Sequence, residues 1–208
     1  HFYETTPGNP NAGQEVLSFT ETITTSTSVY YPDAPYVQAL KDAYEPGDDA
    51  WVGALILESS EPVVAIANEL NLPYHAASYV GLTEGATELF FPLAFVKAYA
   101  YANTSFSIAD MSGDVSTPVT VTVAYIADTQ QCPGCSDTED IYSFYNINSK
   151  YQPDHLNDEM LRAALAPDGV FVGSIRITAN KPINGIMNEM MGGYEMDNFT
   201  SFNAFVAP

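Results

Sequence analysis

An all-β fold with two short helices, built as two tandem immunoglobulin-like β-sandwich domains, is the architecture this 208-residue chain predicts. Three observations carry it. The first is repetition: WVGALILESSEPVVAIANELN at 51–71 is written again as FVGSIRITANKPINGIMNEMM at 171–191. Val52, Gly53, Pro62, Ile66, Asn68 and Glu69 recur at Val172, Gly173, Pro182, Ile186, Asn188 and Glu189, a constant offset of 120, and an internal repeat fixes the domain plan before any local reading does. The second is composition, with 14 Tyr and 11 Phe among Thr-rich and β-branched stretches that favour strands. The third is punctuation, because short apolar runs are separated by Pro, Gly and Asp at the spacing of a sandwich.

Taken in order, residues 1–15 carry Pro7, Gly8, Pro10 and Gly13 and predict an extended N-terminal arm. The first repeat is expected over 16–97. TSTSVYYPD at 25–33 matches TVTVAYIAD at 120–128, with Tyr30 over Tyr125 and Asp33 over Asp128, an offset of 95. Both read as alternating strands. The change of offset places an acidic, Cys-containing insertion at 130–154 in the second repeat, which is expected over 98–208. A short helix follows each of these strands: YVQALKDAY at 36–44 after Asp33, and HLNDEMLRAAL at 155–165 after Asp154, each Asp placed to cap free amides. EPGDD and APDG stop the helices. Two strands then follow in each copy, GALILES and VVAIANEL, or GSIRITA and INGIMNEM, with Pro62 and Pro182 as fixed-φ turn residues between them. Gly53 and Gly173 stand where a strand begins and a close backbone crossing excludes a Cβ.

The pattern G-S-x-x-I-T-x-x-x-P-I-x-x-x-x-N-E at 173–189, followed by S-Y-x-G or S-F-N-A and a strand like LFFPLAF, resembles the tandem β-sandwich repeats of secreted, surface-associated proteins from filamentous green non-sulfur, Chloroflexus-type bacteria. The likeness covers roughly 16–128 and 155–205 and transfers no catalytic residue. One asymmetry stands out. After ASYVG the first copy runs into TELFFPLAF, whereas after TSFNAF the second has only Val206, Ala207 and Pro208. The second sandwich therefore reads as one strand short, and an open edge of this kind is normally covered. The sequence predicts that the N-terminal arm of a neighbour fills it by β-strand addition, giving a head-to-tail homopolymer, a pilus-like filament or surface layer.

Charge narrows the partners. Against 26 acidic residues stand 6 basic ones, a formal −20, and such a surface repels nucleic acid and anionic membrane. No apolar run is long enough for a transmembrane helix; LFFPLAFV at 89–96 is broken by Pro92 and reads as a buried strand. A start at His1 without an export signal suggests a secreted protein whose signal peptide has been removed.

The chemistry-bearing residues are few. Cys132 and Cys135 in CPGC lie in a β domain rather than at the head of a redox helix, so a local disulfide is expected. His1, with its own amine and with His75 or His155, offers the nitrogen set of a copper brace such as lytic polysaccharide monooxygenases use; this is the alternative reading as an enzyme, beside a monomeric adhesion or carbohydrate-binding module. Asp110 with Asp114 is the best Ca²⁺ candidate, with Asp48 and Asp49, and Asp137, Glu139 and Asp140, behind it. Asn68-Glu69 and Asn188-Glu189 recur as a pair and are assigned to structure. Asn103-Thr104-Ser105 and Asn198-Phe199-Thr200 are glycosylation sequons, and TETITTSTS at 20–28 is a candidate for O-linked sugar.

Overall fold

The computed structural model describes residues 1–4, 14–24, 53–71, 75–114, 116–144, 147–150, 163–190 and 199–206. The expected helix at 36–44, most of that at 155–165, the strand at 25–30 and Asn198 lie outside these residues. The chain forms two compact units, His1–Pro62 and Val63–Pro208. The described residues are mostly strand with almost no helix, in keeping with the expected all-β class.

In the first unit, β1 (Phe2–Glu4) lies between β2 (Glu15–Leu17) and β3 (Gly53–Leu55), antiparallel to both. The β1–β3 ladder continues one residue further, where the His1 amine donates to the Ile56 carbonyl at 3.1 Å and the Ile56 amide donates to the His1 carbonyl at 2.9 Å. Phe2 is buried with its ring 5.7 Å from Phe19. The expected free arm is therefore not free at its start: its aromatic pair is the middle of a sheet in its own chain.

The second unit opens with a hairpin, β4 (Ile66–Asn71) against β5 (His75–Val80). β6 (Ala86–Val96), the four-residue α1 (Ala98–Tyr101), β7 (Asn103–Asp110), β8 (Val119–Ala127), β9 (Thr138–Phe144), β10 (Ile147–Lys150), β11 (Phe171–Met190), β12 (Phe199–Asn203) and β13 (Phe205–Val206) follow. Strands β7 and β8 form because Thr104, Phe106 and Ile108, then Val119, Val121, Val123 and Tyr125, alternate with polar or small neighbours, and the period of two sends each set to one buried face.

The expected pair of strands GSIRITA and INGIMNEM is one strand of 20 residues that changes partners midway. Its first half lies between β8 and β6, and its second half between β7 and β12. The switch falls at Ala179–Pro182, where the β6 register jumps from Thr178 opposite Glu88 to Ile183 opposite Ala86, and where the Pro182 carbonyl accepts the Met111 amide at 2.9 Å. A proline can sit there because a bulge asks for no ladder N–H. Two sub-sheets, β9–β8–β11–β6–β13 and β10–β7–β11–β12, thus share β11. Their facing side chains close a sandwich core in which the Phe91 ring stands 6.1 Å from Phe106 and 6.3 Å from Phe202.

Strand β6 corrects the expected open edge. ATELFFPLAFV does not close the first copy; it pairs with the first half of β11 from Ala86 to Val96, and so supplies the strand that the second copy was expected to lack. The expected boundary at 97/98 falls inside this eight-stranded sheet. The same pairing recurs at the start of the chain. Leu55 is the 120-offset partner of Ile175; Leu55 lies opposite Phe2, and Ile175 opposite Phe91. The aromatic strand therefore opens each copy, and β1 is the counterpart of β6. The 130–154 segment is likewise part of the framework, since β9 extends one sub-sheet on β8 and β10 extends the other on β7.

Candidate functional site

The recurring Asn is a cross-strand clasp. Asn68 lies opposite Ser78 and Asn188 opposite Ser201, and in each pair the serine hydroxyl donates to the asparagine Oδ1 at 2.7 Å. The same bond is made twice by residues 120 and 123 positions apart, which gives the repeat a structural meaning. Beside it, burial pushes the Glu189 carboxyl above its ordinary value.

His1 is committed to the fold. Its amine donates to Ile56, its Nδ1 lies 3.0 Å from Glu15 Oε2, and its Nε2 lies 3.9 Å from Glu58 Oε2. Glu15 is held below its ordinary range, chiefly by a hydrogen bond from Ser18 and then by His1. A copper brace needs the amine and one ring nitrogen turned to a common point, and here the amine is turned to a carbonyl. His155 lies outside the described residues.

Asp110 and Asp114 are brought together, and the cation between them is Lys181. Its ammonium donates to Asp114 Oδ2 at 3.0 Å and to the carbonyls of Asp114 and Thr117 at 2.9 and 2.8 Å, and it lies 3.7 Å from Asp110 Oδ2. The oxygens that a calcium ion would collect are thus gathered on an ammonium. Asp114 also accepts from the Ser116 hydroxyl and amide and from the Thr117 hydroxyl, and these bonds, the Ser116 hydroxyl first, hold it well below the usual carboxylate range. Asp137 accepts the Ala127 amide at 2.8 Å. Among the described residues, no group of three or more His, Cys, Asp or Glu side chains converges as metal ligands would.

Cys132 and Cys135 form the expected disulfide, and both are buried. The loop packs on the 164–170 segment: Ser136 donates its amide to Ala164 at 3.0 Å, and a Cβ on Gly134 would stand 3.0 Å from Pro167 Cδ. The bridge is an anchor in the core rather than a pin at an exposed tip. At the sequon, the Asn103 Oδ1 accepts the Lys97 amide at 3.0 Å, and the fully buried Thr104 hydroxyl accepts from Phe95 N–H and donates to Phe95 C=O.

One feature the sequence reading missed is the turn between β6 and β7. Lys97 and Tyr99 have φ of 51° and 42°, a left-handed backbone that side chains with a Cβ seldom adopt. Reciprocal hydrogen bonds between Ala98 and Ala102 hold the turn shut. It places Tyr99 in the lining of an open cleft of about 280 Å³, with Leu93, Ile126, Asp128, Gln131 and Ser174. The available signal was KAYAYAN itself: two strands must be joined there with neither Gly nor Pro to make the turn.

No family model matches the chain, and no curated protein does. One solved structure that is similar is the crystal structure of Thermotoga maritima 1070, at 12% identity and a TM-score of 0.42, covering 59% of this chain and 96% of that one.

Proposed function

We propose that this chain is an extracellular structural subunit, a tandem of immunoglobulin-like sandwiches of the surface-associated kind, which self-associates into a filament or layer. What supports this is the fate of equivalent apolar positions in the two copies. Ile183 and Ile186 are 0% and 9% exposed, while Val63 and Ile66 at the same repeat positions are 48% and 64% exposed, with Val64 beside them at 82%. β-Branched residues kept where their own copy does not cover them favour a neighbour as the cover. The formal charge of −20 works in the same direction, since carboxylates keep the chain soluble and disfavour association through the acidic surface.

The contact we propose is between faces, through side chains, and not through an exchanged strand. Strand exchange has less support, since β6 pairs with the first half of β11 and β1 is paired on both sides. Size-exclusion chromatography with light scattering, and negative-stain imaging of the full chain, test the reading. Assemblies are expected, and Val64→Lys with Ile66→Lys should shift them toward monomer. A parent chain that stays monomeric up to its solubility limit overturns self-association.

A further inference from the structure

We propose that the cleft beside α1 binds a neutral saccharide, an adhesive function separate from self-association. Four observations converge on it. Tyr99 is 57% exposed, yet its ring is fixed: it meets Phe95 edge-on at 5.5 Å and 86°, and its hydroxyl lies 3.3 Å from Gln131 Oε1. A held and half-exposed aromatic ring thus lines the cleft, and an aromatic face is the surface on which the C–H face of a pyranose stacks. The wall is half-exposed Leu93 and Ile126, which suits the same apolar face. The rim carries an amide, a carboxylate and a hydroxyl from Gln131, Asp128 and Ser174, the donor and acceptor types that pair with sugar hydroxyls.

The backbone supplies the fourth observation. Left-handed φ at two residues with side chains is costly and persists where the surroundings impose it, commonly at ligand sites. The Ala98–Ala102 bonds impose it here, and the result is a Tyr placed before any ligand arrives. The Asp128 carboxylate is itself fixed by the amides of Gln130 and Gln131 at 3.0 and 3.2 Å. At about 280 Å³ the cleft lies near the small end of ligand sites, roughly 300 Å³, which fits one or two sugar rings. The Asp128 carboxylate in the lining and the chain's formal charge of −20 disfavour uronic acids and sulfated or phosphorylated glycans.

Saturation-transfer NMR on the full chain tests this, and assembly of the protein does not impair the measurement. The probes are cellohexaose, maltohexaose and mannohexaose, with an oligogalacturonate hexamer as the anionic control. At least one neutral hexaose should bind with a Kd of about 1 mM or tighter, with transfer strongest on its ring C–H face. Tyr99→Ala and Gln131→Ala should each weaken it by roughly fivefold, while Tyr99→Phe keeps most of it. The proposal is overturned if no neutral hexaose receives saturation, if only the anionic hexamer does, or if Tyr99→Ala binds like the parent. Gln131→Ala is a surface change, so loss of binding there with an unchanged melting temperature separates a site from a folding defect. Light scattering on the same samples scores self-association independently.

Discussion

At Asp114 one side chain closes a loop by four hydrogen-bonding partners, and its protonation is therefore coupled to folding. Its pKa is lowered in the folded chain from an ordinary 3.8, so the stability it contributes is fully present above that value and is lost as pH falls toward the folded pKa. Melting temperature should drop between about pH 4 and pH 2, and Asp114→Asn should flatten that drop while lowering stability at neutral pH. An identical acid profile in the variant would remove this coupling. Gly173 is a steric case. A Cβ there would overlap the Ile126 carbonyl oxygen and stand 2.8 Å from the Phe171 ring, with β8 held on the other side by the ladder. Gly173→Ala should cost roughly 1–3 kcal/mol in chemical denaturation, and a neutral result would mean that the strands separate easily. The need for glycine was legible in the repeat. The identity of the atom that forbids a side chain was not, because Ile126 lies 47 residues earlier.

At the level of elements, alternation located β8 and the two halves of β11 from residue types alone, while β7, equally alternating, went unread behind its sequon. It failed where one strand serves two sub-sheets. Pro182 read as a turn, but a proline within a long strand and a proline between two strands have the same local pattern, and only the partners on either side distinguish them. The acidic segment after β8 read as an insertion because the offsets disagreed; DIYSF nevertheless alternates, and β9 takes its place on β8 by that alternation. The CPGC bridge holds the turn between these strands against the core. Closing so short a loop is worth about 2 kcal/mol by loop entropy. Cys132→Ala with Cys135→Ala should lower stability by about that amount, measured by urea unfolding against the oxidised parent. A difference near zero would assign the anchoring to burial of the loop alone.

For the molecule as a whole, the described parts of the two copies share one strand pairing. The aromatic strand stands against the glycine-led strand in both, β1 on β3 and β6 on β11. Deleting residues 1–13 removes the central strand of the first unit, so it should lower the stability of that unit while leaving the assembly state as in the parent. Loss of assembly on deletion would return the N-terminus to the interface. The charge acts at this scale too: with 26 acidic and 6 basic residues, association through an apolar face should strengthen as salt screens the repulsion, a trend that the light-scattering measurement reads directly.

Sequence alone determined the all-β class, the repeat, the disulfide pair and the acidic surface, because each of these is set by local pattern or by composition. Tertiary structure decided the order of strands and with it the phase of the repeat. An aromatic run between two repeats can close one or open the next with equal local propensity, and the choice is made by which long-range edge it hydrogen-bonds. It also decided that Lys181 stands between Asp110 and Asp114, and that Tyr99 is held out at a cleft, since both depend on neighbours brought together only when the sheets close.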